Sequence, residues 1–250
     1  MPRIDFNCDL GEGCGDDAAI MPWISSANIA CGGHAGDDAL IRTTLRLCMS
    51  HGVAAGAHPG YPDPEHFGRR ELEMSPQKIG EEIRAQLQRI AIIADAESVP
   101  LVHVKPHGAL YNRAARDAEV AHAIATAVRD VDPTLILVGL SGSQSTRAGA
   151  AIGLRVAHEV FAERGYAADG TLLPRGVAGA VLDDSGEAVT QALRLVRDGM
   201  VIADNGAQLA LRADTLCLHG DRDHAAAFAR ALRIALEQAG ILILGLGVTE

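Results

Sequence analysis

Short apolar runs alternate along the chain with longer segments in which apolar residues recur every three or four positions. The short runs are typical of strands buried in a parallel sheet, and the longer segments are typical of helices that pack one face on that sheet. The predicted strands are Ile4–Cys8, Asn28–Ala30, Ala54–Ala57, Leu101–Val104, Leu135–Val138, Arg155–His158 and Thr215–Leu218, followed by a run at Ile241–Leu244 that pairs at the end. The alternation predicts successive βα units.

The clearest helix signal follows Ser75. Ser75 is a favourable N-cap and Pro76 suits the first helical position, after which Ile79, Ile83 and Leu87 form one apolar stripe. Similar stripes predict helices over Asp37–His51, around Val120–Val128, over Ala188–Arg197, and from near Asp221 or Asp223 to Gly240.

About seven strands, each followed by polar residues and then by a helix, predict a single α/β domain over residues 1–250 that forms a (β/α) barrel. An open doubly wound sheet is the alternative. Both architectures place a ligand at the carboxyl ends of the strands, so the site is expected there in either case.

The chain has 250 residues, 22 Lys and Arg against 32 Asp and Glu, a net charge of -10 and 3% aromatic residues. An acidic balance with few aromatic rings argues against nucleic-acid binding. The N-terminus has no apolar signal region, no apolar run is long enough to span a bilayer, and the five cysteines contain no C-x-x-C pair. We expect a cytoplasmic protein with reduced thiols and no membrane contact.

Polar and titratable residues follow the predicted strands at their carboxyl ends, beside glycines that let a ligand approach the backbone. They are Asp9, Glu12, Asn28, His34, His58, Lys105, His107, Glu159, His219 and Asp221. A barrel brings these segments to one end, so the sequence predicts a single acidic pocket rich in imidazoles.

Lys105 and His107 are the sharpest candidates within this set. A lysine that ends an apolar strand is costly to bury unless it pairs with a carboxylate or a ligand. His107 lies two residues later and faces the same side in extended backbone. A divalent metal is a further expectation, with Asp9, His58 and His107 as candidate ligands, although no H-E-x-x-H spacing fixes a metal site.

Arginines on two strand-end loops suit an anionic ligand. Arg69 and Arg70 follow a proline-rich excursion, and Arg175 closes the segment after Glu159. The segment Gly11–Gly15 does not match G-x-G-x-x-G, and the chain has neither a G-x-x-x-x-G-K-[ST] phosphate loop nor a G-x-S-x-G elbow. The sequence therefore predicts no standard nucleotide site and no serine-hydrolase site.

The strand-end motifs also carry a family resemblance. The motifs are Asn7-Cys8-Asp9-Leu10-Gly11-Glu12, Asn28-Ile29-Ala30-Cys31-Gly32-Gly33-His34, Gly56-Ala57-His58-Pro59-Gly60-Tyr61, Gly68-Arg69-Arg70, Lys105-Pro106-His107-Gly108-Ala109-Leu110-Tyr111-Asn112, Glu159-Val160-Phe161-Ala162-Glu163-Arg164 and His219-Gly220-Asp221. Taken in this order, they resemble the LamB/YcsF family.

The resemblance implies a variant (β/α) barrel similar to the polysaccharide-deacetylase type. It also implies ATP-dependent opening of the lactam 5-oxoproline to L-glutamate, in a complex with 5-oxoprolinase subunits B and C. ATP, with Mg²⁺, is then expected to bind through the complex. Because this chain lacks a phosphate loop, we expect the partner subunits to transfer the phosphoryl group and this chain to perform the hydrolysis.

That reaction suggests roles for the candidates. Asp9, Glu159 or His107 is expected to act as general base, and Lys105 to stabilise developing negative charge. Glu12 joins the catalytic set. The expected substrate-binding residues are Asn28, His34, His58, Arg69, Arg70, Tyr111, Arg175, His219 and Asp221.

Two other functions stay open. One is a metal-dependent deacetylase or amide hydrolase that acts alone, and the other is a non-catalytic subunit that binds the substrate. The number of proton-transfer groups argues against a purely binding role.

Overall fold

The computed structural model describes residues 1–182, 184–220 and 224–248. The strands in these ranges are β1 (Arg3–Leu10), β2 (Ser26–Ala30), β3 (Ala54–His58), β4 (Leu101–Val104), β5 (Ile136–Leu140), β6 (Arg155–Phe161), β7 (Met200–Ile202), β8 (Gln208–Ala210), β9 (Thr215–His219) and β10 (Leu242–Ile243). The helices are α1 (Asp17–Ile20), α2 (Asp38–His51), α3 (Pro76–Ala96), α4 (Gly108–Arg116), α5 (Ala118–Val131), α6 (Gln144–Ala151), α7 (Ser185–Asp198) and α8 (Ala225–Gln238).

Seven parallel strands close into a barrel in the order β1–β2–β3–β4–β5–β6–β9. Strand β9 closes the ring because it pairs with both β6 and β1, which places His219 opposite Asp9. Strand β10 pairs with the first residues of β1, at Arg3 and Ile4. The predicted barrel is confirmed, and the alternative open doubly wound sheet is wrong.

Several strands run further than the sequence predicts. Strands β1, β3, β6 and β9 reach Leu10, His58, Phe161 and His219. Asp9, His58, Glu159 and His219 therefore lie within the strands and not beyond them. Their backbones are held by the hydrogen bonds of the sheet, which fixes the direction of each side chain.

The predicted helices are present, and Asp37 and Ser75 cap the first turns of α2 and α3. The side chain of Asp37 accepts a hydrogen bond from Leu40 N at 2.8 Å, and that of Ser75 accepts one from Lys78 N at 3.2 Å. The last helix begins at Ala225; the predicted start at Asp221 or Asp223 lies outside the described residues. No helix in the described ranges has the length and apolar character needed to cross a bilayer.

Helices α1, α4 and α6 and the antiparallel pair β7–β8 are not predicted from the sequence. Helix α6 shows why. Its buried residues are Ser145, Thr146 and Gly149, and a Cβ on Gly149 would lie 2.8 Å from Val156 Cγ1. The helix packs its backbone almost directly on β6, so small residues replace the apolar stripe that marks most sheet-covering helices.

The interior of the barrel is polar, while the outer face of its strands is apolar. On β1, Phe6, Cys8 and Leu10 belong to the apolar core. The alternate residue Asn7 donates from Nδ2 to Glu159 Oε1 at 3.0 Å. Because β1 and β6 are not neighbours in the sheet, this bond crosses the barrel interior.

One glycine allows a hydrogen bond to cross a strand. Asn28, Gly56 and His103 lie side by side on β2, β3 and β4, and His103 Nε2 is 2.8 Å from Asn28 Oδ1. Burial lowers the pKa of His103 to about 3, so the ring is neutral and donates through Nε2. A Cβ on Gly56 would lie 2.2 Å from that nitrogen. The absence of a side chain on β3 is therefore what lets β4 hold Asn28 in place.

We expect Gly56→Ala to lower the free energy of unfolding by about 1–3 kcal/mol, the usual cost of overpacking a buried site. Urea denaturation measures this change. Gly176→Ala is the control, because its added methyl group meets no atom within 4 Å. A Gly56→Ala chain as stable as the parent would contradict the role given to His103.

Candidate active site

A cavity of about 670 Å³ opens at the carboxyl end of the barrel. Of the residues expected at the site, it is lined by Asp9, Glu12, His58, Arg69, Lys105, His107, Tyr111, Arg175 and His219. These residues come from segments far apart in sequence, and the barrel brings them to one cavity.

Lys105 lies at the floor of this cavity and is 2% exposed. Its Nζ is 2.9 Å from Asp9 Oδ1 and 2.9 Å from Glu159 Oε1, and it donates to Cys217 Sγ at 3.1 Å. Burial would lower the pKa of Lys105, but the carboxylate of Asp9, with further groups around it, holds that pKa well above its usual value. The ammonium is therefore a permanent positive charge at neutral pH.

Asp9 is held on both carboxylate oxygens. Oδ1 accepts from Lys105 and from Asn28 Nδ2, the latter at 2.8 Å, and Oδ2 lies 3.3 Å from His58 Nε2. Burial alone would raise the pKa of Asp9, but His58 and Lys105 hold it well below its usual value. Asp9 is an ionised, firmly oriented carboxylate whose affinity for a proton is low.

Glu159 lies behind Lys105 and not on the cavity wall. Its side chain is fully buried, and it is not among the residues that line the cavity. Burial, together with the nearby charge of Glu159, raises the pKa of Tyr111 well above its usual value, so the phenol of Tyr111 keeps its proton. Glu159 therefore acts as a buried counterion that stabilises the positive charge of Lys105.

Four side chains beside Asp9 form what we call the His/Glu cluster: Glu12, His34, His58 and His107. Glu12 Oε1 is 3.2 Å from His34 Nε2 and 3.3 Å from His107 Nδ1. His107 Nδ1 is 2.9 Å from His58 Nε2, and the rings of His34 and His107 stack at 3.6 Å. All four residues are buried or nearly so.

The backbone fixes which nitrogens of this cluster carry hydrogen. His58 Nδ1 is 2.7 Å from the carbonyl of Lys105, and His107 Nε2 is 2.9 Å from the carbonyl of Phe67. A carbonyl only accepts, so both of these nitrogens donate. When both rings are neutral, His58 Nε2 and His107 Nδ1 therefore carry no hydrogen, and their lone pairs point at each other across 2.9 Å. Two acceptors this close repel each other unless a proton or a metal cation lies between them.

Burial keeps two of the imidazoles neutral. It lowers the pKa of His34 to about 3, and it lowers the pKa of His107 well below its usual value, with the neighbouring His58 adding to the effect. Neutral imidazole is the form that binds metal ions. The cluster therefore can hold a divalent cation.

A second group of possible metal ligands joins Asp9 with Cys217 and His219. Lys105 already places its ammonium against Asp9 and Cys217, so this group is occupied by a cation. Of the ligands expected from the sequence, His58 and His107 belong to the His/Glu cluster and Asp9 belongs to this second group.

The remaining expected residues lie in different places. Asn28 and His34 are buried and contact residues of the cavity wall. The side chain of Arg70 is 58% exposed, lies 3.6 Å from Asp63 Oδ2, and does not line the cavity. Asp221 lies outside the described residues.

Five residues near the site were not on the list of expected site residues: Asn7, His103, Glu163, Arg164 and Cys217. Asn7 and Cys217 are each two positions from an expected residue on the same strand, and His103 is two positions before Lys105, which directly follows β4. The period of a strand is the signal that could have found them. Glu163 lies 2.6 Å from His219 Nδ1, and Phe161 stacks on the ring of His219 at 5.7 Å.

Comparison with known proteins gives concordant results. A model of the LamB/YcsF family matches residues 4–249. The chain is 51% identical over 247 residues to a protein from Geobacillus kaustophilus (strain HTA426) that is named as the A subunit of 5-oxoprolinase, covering 97% of this chain and 96% of that protein.

Two solved structures share the fold. A lactam utilization protein from Thermus thermophilus superposes with a TM-score of 0.91 at 46% identity, over 97% of this chain and 99% of the other. A family 4 carbohydrate esterase from Streptomyces lividans superposes with a TM-score of 0.52 at 11% identity, over 97% of this chain and 91% of the other. The second likeness concerns the fold alone, and it agrees with the deacetylase-type barrel expected from the sequence.

We expect Lys105→Met to lower the free energy of unfolding by about 3–5 kcal/mol, because it leaves Asp9 and Glu159 as uncompensated buried carboxylates. Adding Glu159→Gln to the same chain is expected to recover part of the loss, since it removes one of the two charges. Urea denaturation of the single and double variants measures both effects.

The control for this experiment is Arg84→Met, which removes a surface pair with Asp130 and is expected to change stability little. If Glu159→Gln destabilised the Lys105→Met chain further, the two carboxylates would not be sharing the lysine charge.

Proposed function

Because the chain belongs to the LamB/YcsF family, we propose that it is the subunit of a 5-oxoprolinase that opens the lactam ring of 5-oxoproline to give L-glutamate. The observation that carries this proposal is the floor of the cavity. An ionised carboxylate, a permanent ammonium and a cluster of three imidazoles meet there in a space large enough for a small cyclic amide.

A lactam resists hydrolysis because its amide is stabilised by resonance. We propose that subunits B and C transfer a phosphoryl group from ATP, bound with Mg²⁺, to the lactam oxygen, which makes the ring carbon electrophilic. One water adds to that carbon, the ring C–N bond breaks, and the nitrogen takes up a proton. A second water then releases phosphate from the acyl group, so each turnover consumes one ATP and two waters.

Asp9 is the residue that we assign to receive the proton of the attacking water. It lines the cavity, whereas Glu159 lies behind Lys105. Asn28 and Lys105 fix the direction of the Asp9 carboxylate, and Lys105 adds positive charge where the oxygen becomes negative. His219, held by Glu163, is the group that we assign to protonate the ring nitrogen.

We further infer that Glu12, His58 and His107 hold a divalent cation. Their ligand atoms lie 2.9–4.0 Å apart, which suits atoms that share one ion at bond lengths of about 2.1 Å. Each histidine donates its other nitrogen to a backbone carbonyl, as metal-bound histidines do. His34 then donates from Nε2 to Glu12. When bound, the ion would lower the pKa of a water molecule, which suits a base as weak as Asp9.

The same cluster favours one other function, a metal-dependent amide hydrolase that acts without ATP. The two functions differ in their requirement for the partner subunits, so the experiment below separates them.

We expect glutamate to form from 5-oxoproline only when this chain, subunits B and C, and ATP are all present. Asp9→Asn is expected to lower the rate by about 10²- to 10⁴-fold, the usual contribution of a positioned acid or base. Asp130→Asn, at an exposed carboxylate, is the matched control. Product formation by this chain alone, without ATP, would instead support the metal-dependent hydrolase.

Metal content tests the cation separately from activity. After equilibration with Zn²⁺ or Mn²⁺ and removal of excess metal, we expect about one ion per chain by elemental analysis. His107→Ala is expected to lower the metal affinity more than tenfold because it removes one ligand, whereas His122→Ala, on an exposed helix face, leaves it unchanged. Equal affinity in both variants would exclude the cluster as the metal site.

A further inference from the structure

Arg164 is a buried guanidinium that lines the cavity and has no carboxylate partner among the described residues. It lies three residues after the end of β6, is 5% exposed, and lines the cavity wall. Within the described part of the chain, no carboxylate oxygen lies within 4 Å of it. A buried charge without a counterion is unfavourable, so the site is suited to a ligand that supplies one.

Arg164 also binds two backbone carbonyls, and these bonds use only two of its five N–H donors. Nε donates to the carbonyl of Ala180 at 3.0 Å, and Nη2 donates to the carbonyl of Leu173 at 2.6 Å. These bonds clamp the segment between β6 and α7. A guanidinium has five N–H donors, so three remain beyond these two bonds. They include both donors of Nη1, which with Nη2 forms an edge able to pair with a planar carboxylate.

The neighbouring charges leave this side of the cavity positive. Arg175 lines the cavity too, and its charge adds to burial in lowering the pKa of Arg164 to about 10, which keeps Arg164 charged at neutral pH. Glu163 is engaged by His219 at 2.6 Å. Asp169, also on the wall, accepts from Thr171 N and Oγ1 at 2.9 and 2.6 Å.

Phe161 connects this positive side to the floor of the cavity. Lys105 Nζ lies 5.6 Å from the centre of the Phe161 ring. His219 stacks on that ring and is held by Glu163. Phe161 lines the same cavity as Lys105 and the two arginines, so a ligand that rests a small ring against Phe161 lies in the space that all of these groups share.

We propose that Arg164, together with Arg175, forms a carboxylate-binding subsite, so that the cavity selects lactams that carry a carboxylate on the carbon next to the ring nitrogen. The proposal rests on the proposed function, because it names the part of the substrate that the β6 side of the cavity recognises. A planar carboxylate fits the free edge of one buried guanidinium. A phosphoryl group is the other oxyanion that this chemistry could hold.

The test compares two ligands on the full chain alone, since the partner subunits could select for a carboxylate themselves. Calorimetry measures the affinity for L-5-oxoproline and for its neutral carboxamide. We expect Arg164→Gln to lower the preference for the carboxylate by about 100-fold, as for loss of one partner of a buried charged pair. Arg175→Gln, at an exposed position, is expected to lower it by about tenfold.

Arg113→Gln is the matched control. Arg113 also clamps backbone carbonyls, those of Leu72 and Met74 at 3.2 Å each, but it does not line the cavity. We expect it to alter stability and to leave the ligand preference unchanged. Circular dichroism checks that each variant is folded. If Arg164→Gln does not fold, the ligand preference of Arg175→Gln still tests the subsite.

Several outcomes would overturn the proposal. An Arg164→Gln chain that retains the parent preference would show that Arg164 acts only as a clamp. Loss of inorganic phosphate binding with an unchanged carboxylate preference would assign the subsite to a phosphoryl group. A parent chain without preference for the carboxylate would also refute it. Failure of the complex to form glutamate would instead refute the proposed function. Calorimetry measures ligand binding by this chain alone, so its result does not depend on that activity.

Discussion

A lysine ammonium held between two carboxylates inside a closed barrel is the interaction around which the site is built. Lys105, directly after β4, reaches across the interior to Asp9 on β1 and Glu159 on β6. Removing these three charges from water is costly, and their mutual attraction offsets that cost together with hydrogen bonds from the amide groups of Asn7 and Asn28. The polar interior therefore depends on all of its members being present together.

This constraint sets the chemistry of each side chain at the cavity floor. His58 and Lys105 keep Asp9 ionised by holding its pKa low, and the same effect makes Asp9 a weak base. His34 and His107 in the neighbouring cluster are neutral because burial opposes their charge. Positive charge, negative charge and neutral acceptors thus occupy fixed and separate positions. A site of this kind stabilises charge as it develops, because its dipoles and charges do not need to reorient.

The cavity divides into a floor and a positive side wall, and the two parts are built differently. The floor rests on strands or directly beside them: Asp9 and Glu159 lie in β1 and β6, and Lys105 directly follows β4. The wall rests on the segment between β6 and α7, where Arg164 holds two carbonyls of an irregular chain. Groups that perform chemistry need the precision of the strands, and a segment that binds one substituent of a ligand can differ among proteins that share the barrel.

The sequence by itself determined the barrel, most helices and the end of the barrel where the candidate residues gather, because these follow from local periodicity and from the rule that parallel strands end on one side. Tertiary structure alone decided which residues face the cavity. Glu159 and Asp9 look equivalent in sequence, yet closure of the barrel buries Glu159 behind Lys105 and leaves Asp9 on the wall. Arg164 and Asn7 gained their places through contacts with residues distant in sequence. Local patterns carry no information on such contacts, since these depend on how the ring of strands closes.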